Sequence, residues 1–162
     1  MRFHFPIIII DEDFRSENAS GLGIRRLAEA IEAEGMEVLG VTSYGDLSSF
    51  AQQQSRASAF ILSIDDEELA NDEEETIAGL RAFVAEVRTR NAEIPIFLHG
   101  ETRTSRHIPN DVLRELHGFI HMFEDTPEFI ARNVVREAKS YLDSLPPPFF
   151  RALTHYAADG SY

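Results

Sequence analysis

A chain of 162 residues with 43% hydrophobic content has the size of one ordinary domain, and its formal charge of −13 (15 Lys+Arg against 28 Asp+Glu) argues against a nucleic-acid partner, which would need a basic face. Cysteine is absent, which excludes disulfides, thiol catalysis and zinc–thiolate sites. No apolar run reaches bilayer length, and Arg2 is followed by a short apolar stretch and then by acids, so neither a membrane nor a secretory signal is expected and the default location is the cytoplasm.

The first strand is expected over residues 3–10, a run almost wholly apolar or β-branched that suits a parallel strand covered on both faces. It ends in Asp11-Glu12-Asp13. Ile24, Leu27, Ala28 and Ile31 then recur at helical spacing, and Gly35 is placed to stop that helix. Residues 37–42 read as the second strand, after which Ser43 can cap a short helix carrying Leu47, Phe50 and Ala51. Residues 59–64 form the third strand, followed by an acidic run over residues 65–75. That run reads as a solvated loop leading into a helix, whose N-terminus favours acids, or as a contact surface whose repulsion relaxes as carboxylates are protonated. Ile77, Leu80, Phe83, Val84 and Val87 mark an amphipathic helix ending near Asn91. Residues 94–98 give the fourth strand, with Pro95 tolerated near its start. A short helix over 111–116 leads to a fifth strand over 119–123. The last helix, 127–145, starts on Pro127 and is assigned a core stripe of Phe129, Ile130, Val134, Ala138, Tyr141 and Leu142. Strands alternating with helices in this way specify an α/β fold: a doubly wound, five-stranded parallel sheet of flavodoxin-like type, order 2-1-3-4-5, with a C-terminal linker helix.

In such sheets ligands bind at the carboxyl ends of the strands. Those ends carry Asp11, Glu12 and Asp13, then Ser63 and Asp65, then His99 and Gly100. The pattern resembles a response-regulator receiver, in which an acidic pair holds a divalent cation beside a phosphoacceptor aspartate. The acidic pair is present, but Ser63 stands at the phosphoacceptor position, His99 at the usual Thr or Ser, and Phe123 at the lysine that would neutralise a phosphoryl group. The resemblance is thus to a degenerate receiver. Asp11 and Asp13 are weak metal candidates, since hard cations favour carboxylate oxygens; otherwise they cap the first helix or face solvent. His99 and His107 lack zinc-site spacing, and no Gly-x-Ser-x-Gly elbow supports hydrolase chemistry. Gly21-Leu22-Gly23 lacks the third glycine of a dinucleotide fingerprint and reads as a flexible turn. Arg103 and Arg106 read as solvated loop residues, the alternative being a pair that binds an anion.

The C-terminal third is the most specific part. Asp125-Thr126-Pro127-Glu128-Phe129-Ile130 opens the last helix, and Leu145-Pro146-Pro147-Pro148-Phe149-Phe150 cannot continue it, because proline has no amide donor and its ring clashes with the preceding turn. With the segment from Ile94 to Glu101, these motifs resemble the bacterial Orn/Lys/Arg decarboxylases, large pyridoxal-phosphate enzymes with a receiver-like N-terminal wing domain. The resemblance implies a wing domain over residues 1–145 and a linker over 146–162 toward a pyridoxal-phosphate core that is absent here. It implies that Phe149, Phe150, Leu153 and Tyr156 are the linker or interface residues. Catalytic and cofactor-binding residues are then expected outside this chain, and the fragment alone is expected to be non-catalytic. The implied parent decarboxylates a basic amino acid, with arginine slightly favoured over lysine and ornithine, in support of acid resistance or polyamine supply. Its implied partners are the core of its own chain and further copies, from dimer to decamer. The competing reading is a stand-alone degenerate receiver acting as a protein-interaction module.

Overall fold

A computed structural model describes residues 5–43, 57–64, 70–100, 107–121 and 124–145. Among them are five strands, β1 (Ile7–Ile10), β2 (Val38–Val41), β3 (Ala59–Ser63), β4 (Ile96–Gly100) and β5 (Gly118–His121), and four helices, α1 (Ala19–Ala33), α2 (Glu73–Arg90), α3 (Asn110–Leu113) and α4 (Pro127–Ser144). The strands form one parallel sheet in the order β2-β1-β3-β4-β5, as the alternating pattern requires. The short helix expected after Ser43 falls outside the described residues.

All four isoleucines of β1 are buried because both faces of the sheet are covered. Ile8 and Ile10 point into one core with Phe60, Leu62, Leu80, Phe83 and Leu98, under α2 and α3. Ile7 and Ile9 point into the other with Ile24, Ile31, Ile61, Phe97 and Val134, under α1 and α4. The residues expected on the inner faces of α1 and α2 are all buried. Helix ends follow local chemistry. Asn18 caps α1 by accepting from the Gly21 amide at 2.8 Å, Asp72 caps α2 through the Glu75 amide at 3.0 Å, and Thr126 caps α4 through the Phe129 amide at 3.2 Å. Gly35, at φ 97°, ends α1 in the left-handed conformation that favours glycine.

Two expectations need correction. β4 begins at Ile96, not Ile94, because the Ile94 amide is taken by Asn91 Oδ1 at 3.1 Å and Pro95 has no amide to give. His99 and Gly100 lie inside β4 rather than in the loop after it, because His99 pairs with Ser63 and Ile120 and Gly100 with His121. The inner face of α4 is Ala131, Val134, Val135, Ala138 and Tyr141, whereas Phe129 is 48% exposed. Two residues turn a helix by about 200°, so Phe129 lies across the axis from Ala131. The small side chains of Ala131 and Ala138 let α4 sit close to α1 and the sheet.

Arg88, with its side chain only 16% exposed, ties the lower end of the sheet together. Its guanidinium donates to the Ile94 carbonyl at 2.8 Å, to the Glu115 carboxylate at 3.1 Å and to the Glu115 carbonyl. Replacing it by Met keeps the stem but leaves those acceptors without their donor. Arg88→Met is expected to lower stability by about 1–3 kcal/mol, read from the urea midpoint at unchanged slope.

Candidate functional site

The carboxyl edge of the sheet carries the polar residues of interest. After β1 the chain makes a tight turn: Asp11, only 7% exposed, accepts from the Asp13 amide through Oδ1 at 2.8 Å. Asp13 Oδ1 in turn accepts from Ser16 Oγ and from Asn18 Nδ2, each at 3.3 Å. The acids thus shape the turn and brace the cap of α1, while Asn18 itself is the cap. Among the described residues no group of three or more His, Cys, Asp and Glu side chains is arranged to hold a metal ion.

The parallel register sets Ser63 beside His99, and Ser63 Oγ lies 3.1 Å from His99 Nδ1. The ring of His99 is almost wholly buried, and loss of hydration lowers its pKa to about 4, so it is neutral at ordinary pH. On its other side, His99 is in register with Ile120 of β5, and no lysine occurs in that strand. Phe123, expected at the receiver's lysine position, falls outside the described residues, as do Asp65, Arg103 and Arg106. His107 is not part of this cluster: it is exposed and lies 3.4 Å from Glu73.

Between the carboxyl ends of β1, β2 and β3 and the first turn of α2 lies a cleft of about 320 Å³. Glu12, Thr42, Ser43, Ser63 and Thr76 line it above Ile10 and Ile64. Sequence spacing singled out Ser63 and Glu12 but not Thr42, Ser43 or Thr76. These become neighbours only through parallel pairing and the return of α2, and hydroxyl residues carry no periodic signal of their own. The glycine pair also differs from expectation. Gly21 is buried within α1, not in a flexible turn, and a Cβ there would meet the Ser16 carbonyl oxygen at 2.1 Å.

A pyridoxal-phosphate site needs a lysine for the Schiff base beside a phosphate cradle. The only lysine of the chain, Lys139, is exposed on α4, and no basic residue is among the described residues that line the cleft. These residues do not fit that cofactor. Phe149, Phe150, Leu153 and Tyr156 lie outside the described residues.

Residues 19–141 match the family model described as Orn/Lys/Arg decarboxylase, N-terminal domain. The chain belongs to that family. It is 30% identical to lysine decarboxylase LdcA of Pseudomonas aeruginosa over 98% of its own length and 21% of that protein. It is 27% identical to the biodegradative arginine decarboxylase of Escherichia coli over 93% of its length and 20% of that protein. The solved structure of the Pseudomonas aeruginosa lysine decarboxylase A superposes with a TM-score of 0.75 at 28% identity, covering 98% of this chain and 21% of that one. The decarboxylase N-terminal domain described here therefore spans about a fifth of the length of the curated relatives it matches. Its fold is also that of receivers: a response-regulator receiver domain from Clostridium thermocellum superposes with a TM-score of 0.62 at 11% identity, covering 87% of this chain and 99% of that one. The family match takes in Ser63 and His99 but begins after Asp11 and Asp13.

Proposed function

We propose that this chain is the non-catalytic wing domain, residues 1–145, of a pyridoxal-phosphate-dependent decarboxylase of a basic amino acid, and that it acts in assembly of the parent. The observation that carries the reading is the family match across residues 19–141 in a chain whose one lysine is exposed on α4. The cofactor then belongs to the remainder of the parent, with residues 146–162 as the linker toward it and Phe149, Phe150, Leu153 and Tyr156 as its docking side chains. Ser63, His99 and Phe123 are taken as the altered receiver positions. The parent is taken to be cytoplasmic; among the described residues no helix is long and apolar enough to cross a membrane.

The relatives divide between lysine at 30% and arginine at 27% identity, so neither substrate is favoured by the comparisons and the leaning toward arginine gains no support from them. The alternative, a free-standing receiver-like interaction module, rests on the fold alone. The deciding assay measures CO2 release from arginine, lysine and ornithine by the full-length parent, by the parent lacking residues 1–145, and by the 162-residue chain with added pyridoxal phosphate. We expect turnover from the parent, loss of higher assembly in sedimentation on deletion of the wing, and no turnover from the chain alone. Turnover by the chain alone, or unchanged assembly after the deletion, sinks the reading.

A further inference from the structure

The cleft at the carboxyl edge has a described lining suited to a different ligand from that of the receiver site it resembles in position. A receiver site takes an anionic phosphoryl group and needs a cation to neutralise it. Here, among the described residues lining the cleft, there is no lysine or arginine, and the one acidic side chain is that of Glu12. His99, behind Ser63, brings no compensating positive charge, because its buried ring is neutral above about pH 4. The other polar residues among the described lining are Thr42, Ser43, Ser63 and Thr76, all hydroxyl residues, and the floor is Ile10 and Ile64, each 4% exposed.

The N-terminal end of α2, which supplies Thr76, would by itself favour an anion. That end is already offset: Asp72 caps it, and Glu73, Glu74 and Glu75 fill its first turn. The field at the mouth of the cleft is therefore negative, within a chain of net charge −13. A volume of about 320 Å³ is near the lower end of ligand pockets, which run from roughly 300 to 1,000 Å³.

We propose that this cleft binds a small primary alkylammonium ion, with the ammonium donating to Glu12 and the hydroxyl oxygens and the alkyl chain lying over Ile10 and Ile64. An ammonium has three donors and no acceptor, which matches the carboxylate and the hydroxyls among the described lining residues. Identifying that ion with the amine released by decarboxylation of a basic amino acid rests on the proposed function; the preference of the cleft for an ammonium does not.

Amide NMR of the 162-residue chain at neutral pH and about 0.15 M salt tests this, with diaminopentane, pentanediol and inorganic phosphate as probes. Saturable shifts at the amides of Thr42, Ser63, Ile64 and Thr76 are expected with diaminopentane and with neither of the others. Glu12→Gln, an exposed and structurally benign change, is expected to weaken binding about three- to fivefold. Three results each overturn the proposal: equal binding of pentanediol, phosphate shifting the same amides, or diaminopentane shifts that spread over the acidic surface without saturating. Indifference of binding to Glu12→Gln overturns it as well. A parent without decarboxylase activity leaves the ammonium site standing and removes only the identity of the natural ligand.

Discussion

Lowering the pH from about 7 to about 4 is expected to remove roughly 3 kcal/mol of folding stability through His99 alone. Burial lowers the His99 pKa from 6.5 to about 4 in the folded chain, while the unfolded chain keeps the ordinary value. Between those two values the unfolded state binds a proton that the native state refuses, so stability falls as pH falls. The contribution is complete above the unfolded pKa and gone once the pH reaches the folded one. The cause is desolvation, with no charged partner in the strand pairs around it: Ser63 and Ile120 flank the ring position in the sheet. His99→Gln keeps a polar partner for Ser63 and removes the titration. The stability advantage of the wild type over the variant, from urea titrations at each pH, should therefore shrink by about 3 kcal/mol across this window, a difference that cancels the protonation of surface carboxylates common to both. Parallel stability curves for the two chains would show that His99 titrates normally and that its burial is not maintained in solution.

The same neutral histidine explains why the receiver-like edge is chemically different from a receiver. Ser63, which the receiver resemblance would set at the phosphoacceptor position, offers a hydroxyl, and its partner at 3.1 Å is an uncharged ring. The turn after β1 keeps its acids but uses Asp11 and Asp13 to hold amide, hydroxyl and side-chain amide donors of the turn itself. These acids are thus engaged within the turn, and Glu12 is the one acid among the described residues of the neighbouring cleft.

The sheet order and the two cores were legible in the sequence because they rest on strong periodic signals. Ile7 to Ile10 is apolar at every position, as a strand covered on both faces must be, and the stripes of α1 and α2 repeat at helical spacing. Phe129 was misassigned because apolar character alone does not fix the phase of a helix; Ala131 and Ala138, with weak hydrophobic signal, hold the inner positions on account of their size. The shift of β4 depends on Asn91 capturing the Ile94 amide, a side-chain contact that no periodicity reports. Asn18 was findable, since an Asx residue ahead of a helical stripe is a cap signal. Thr42 and Thr76 were not, because they meet only across the assembled edge. The family resemblance rests on residues 94–101, 123–130, 141 and 145–153, and the last of these motifs lies almost wholly outside the described residues.

Gly21→Ala and Gly23→Ala are expected to change stability in opposite directions although they lie two residues apart in α1. A Cβ on Gly21 would sit 2.1 Å from the Ser16 carbonyl oxygen and 2.5 Å from that of Asp13, and backbone atoms cannot swing aside as a side-chain tip can. The turn that supplies those carbonyls is itself fixed, because Arg25 donates to the Phe14 and Ser16 carbonyls at 2.7 Å each and Asn18 is bonded to the Gly21 amide. The gain in helix propensity on replacing Gly by Ala, about 1 kcal/mol, is outweighed by overpacking against backbone at the upper end of its usual range, about 3 kcal/mol, so a net loss of about 2 kcal/mol is expected at Gly21. Gly23 is exposed, with nothing within 4 Å of the added carbon, and should gain about 0.5–1 kcal/mol. Thermal and urea midpoints of the two variants measure the contrast; equal shifts would mean that the turn is not seated on α1. Because that turn also carries Glu12, Gly21→Ala should in addition weaken diaminopentane binding, and Gly23→Ala should leave it unchanged. The glycine that read as a source of flexibility is thus the contact that holds the edge of the cleft in place.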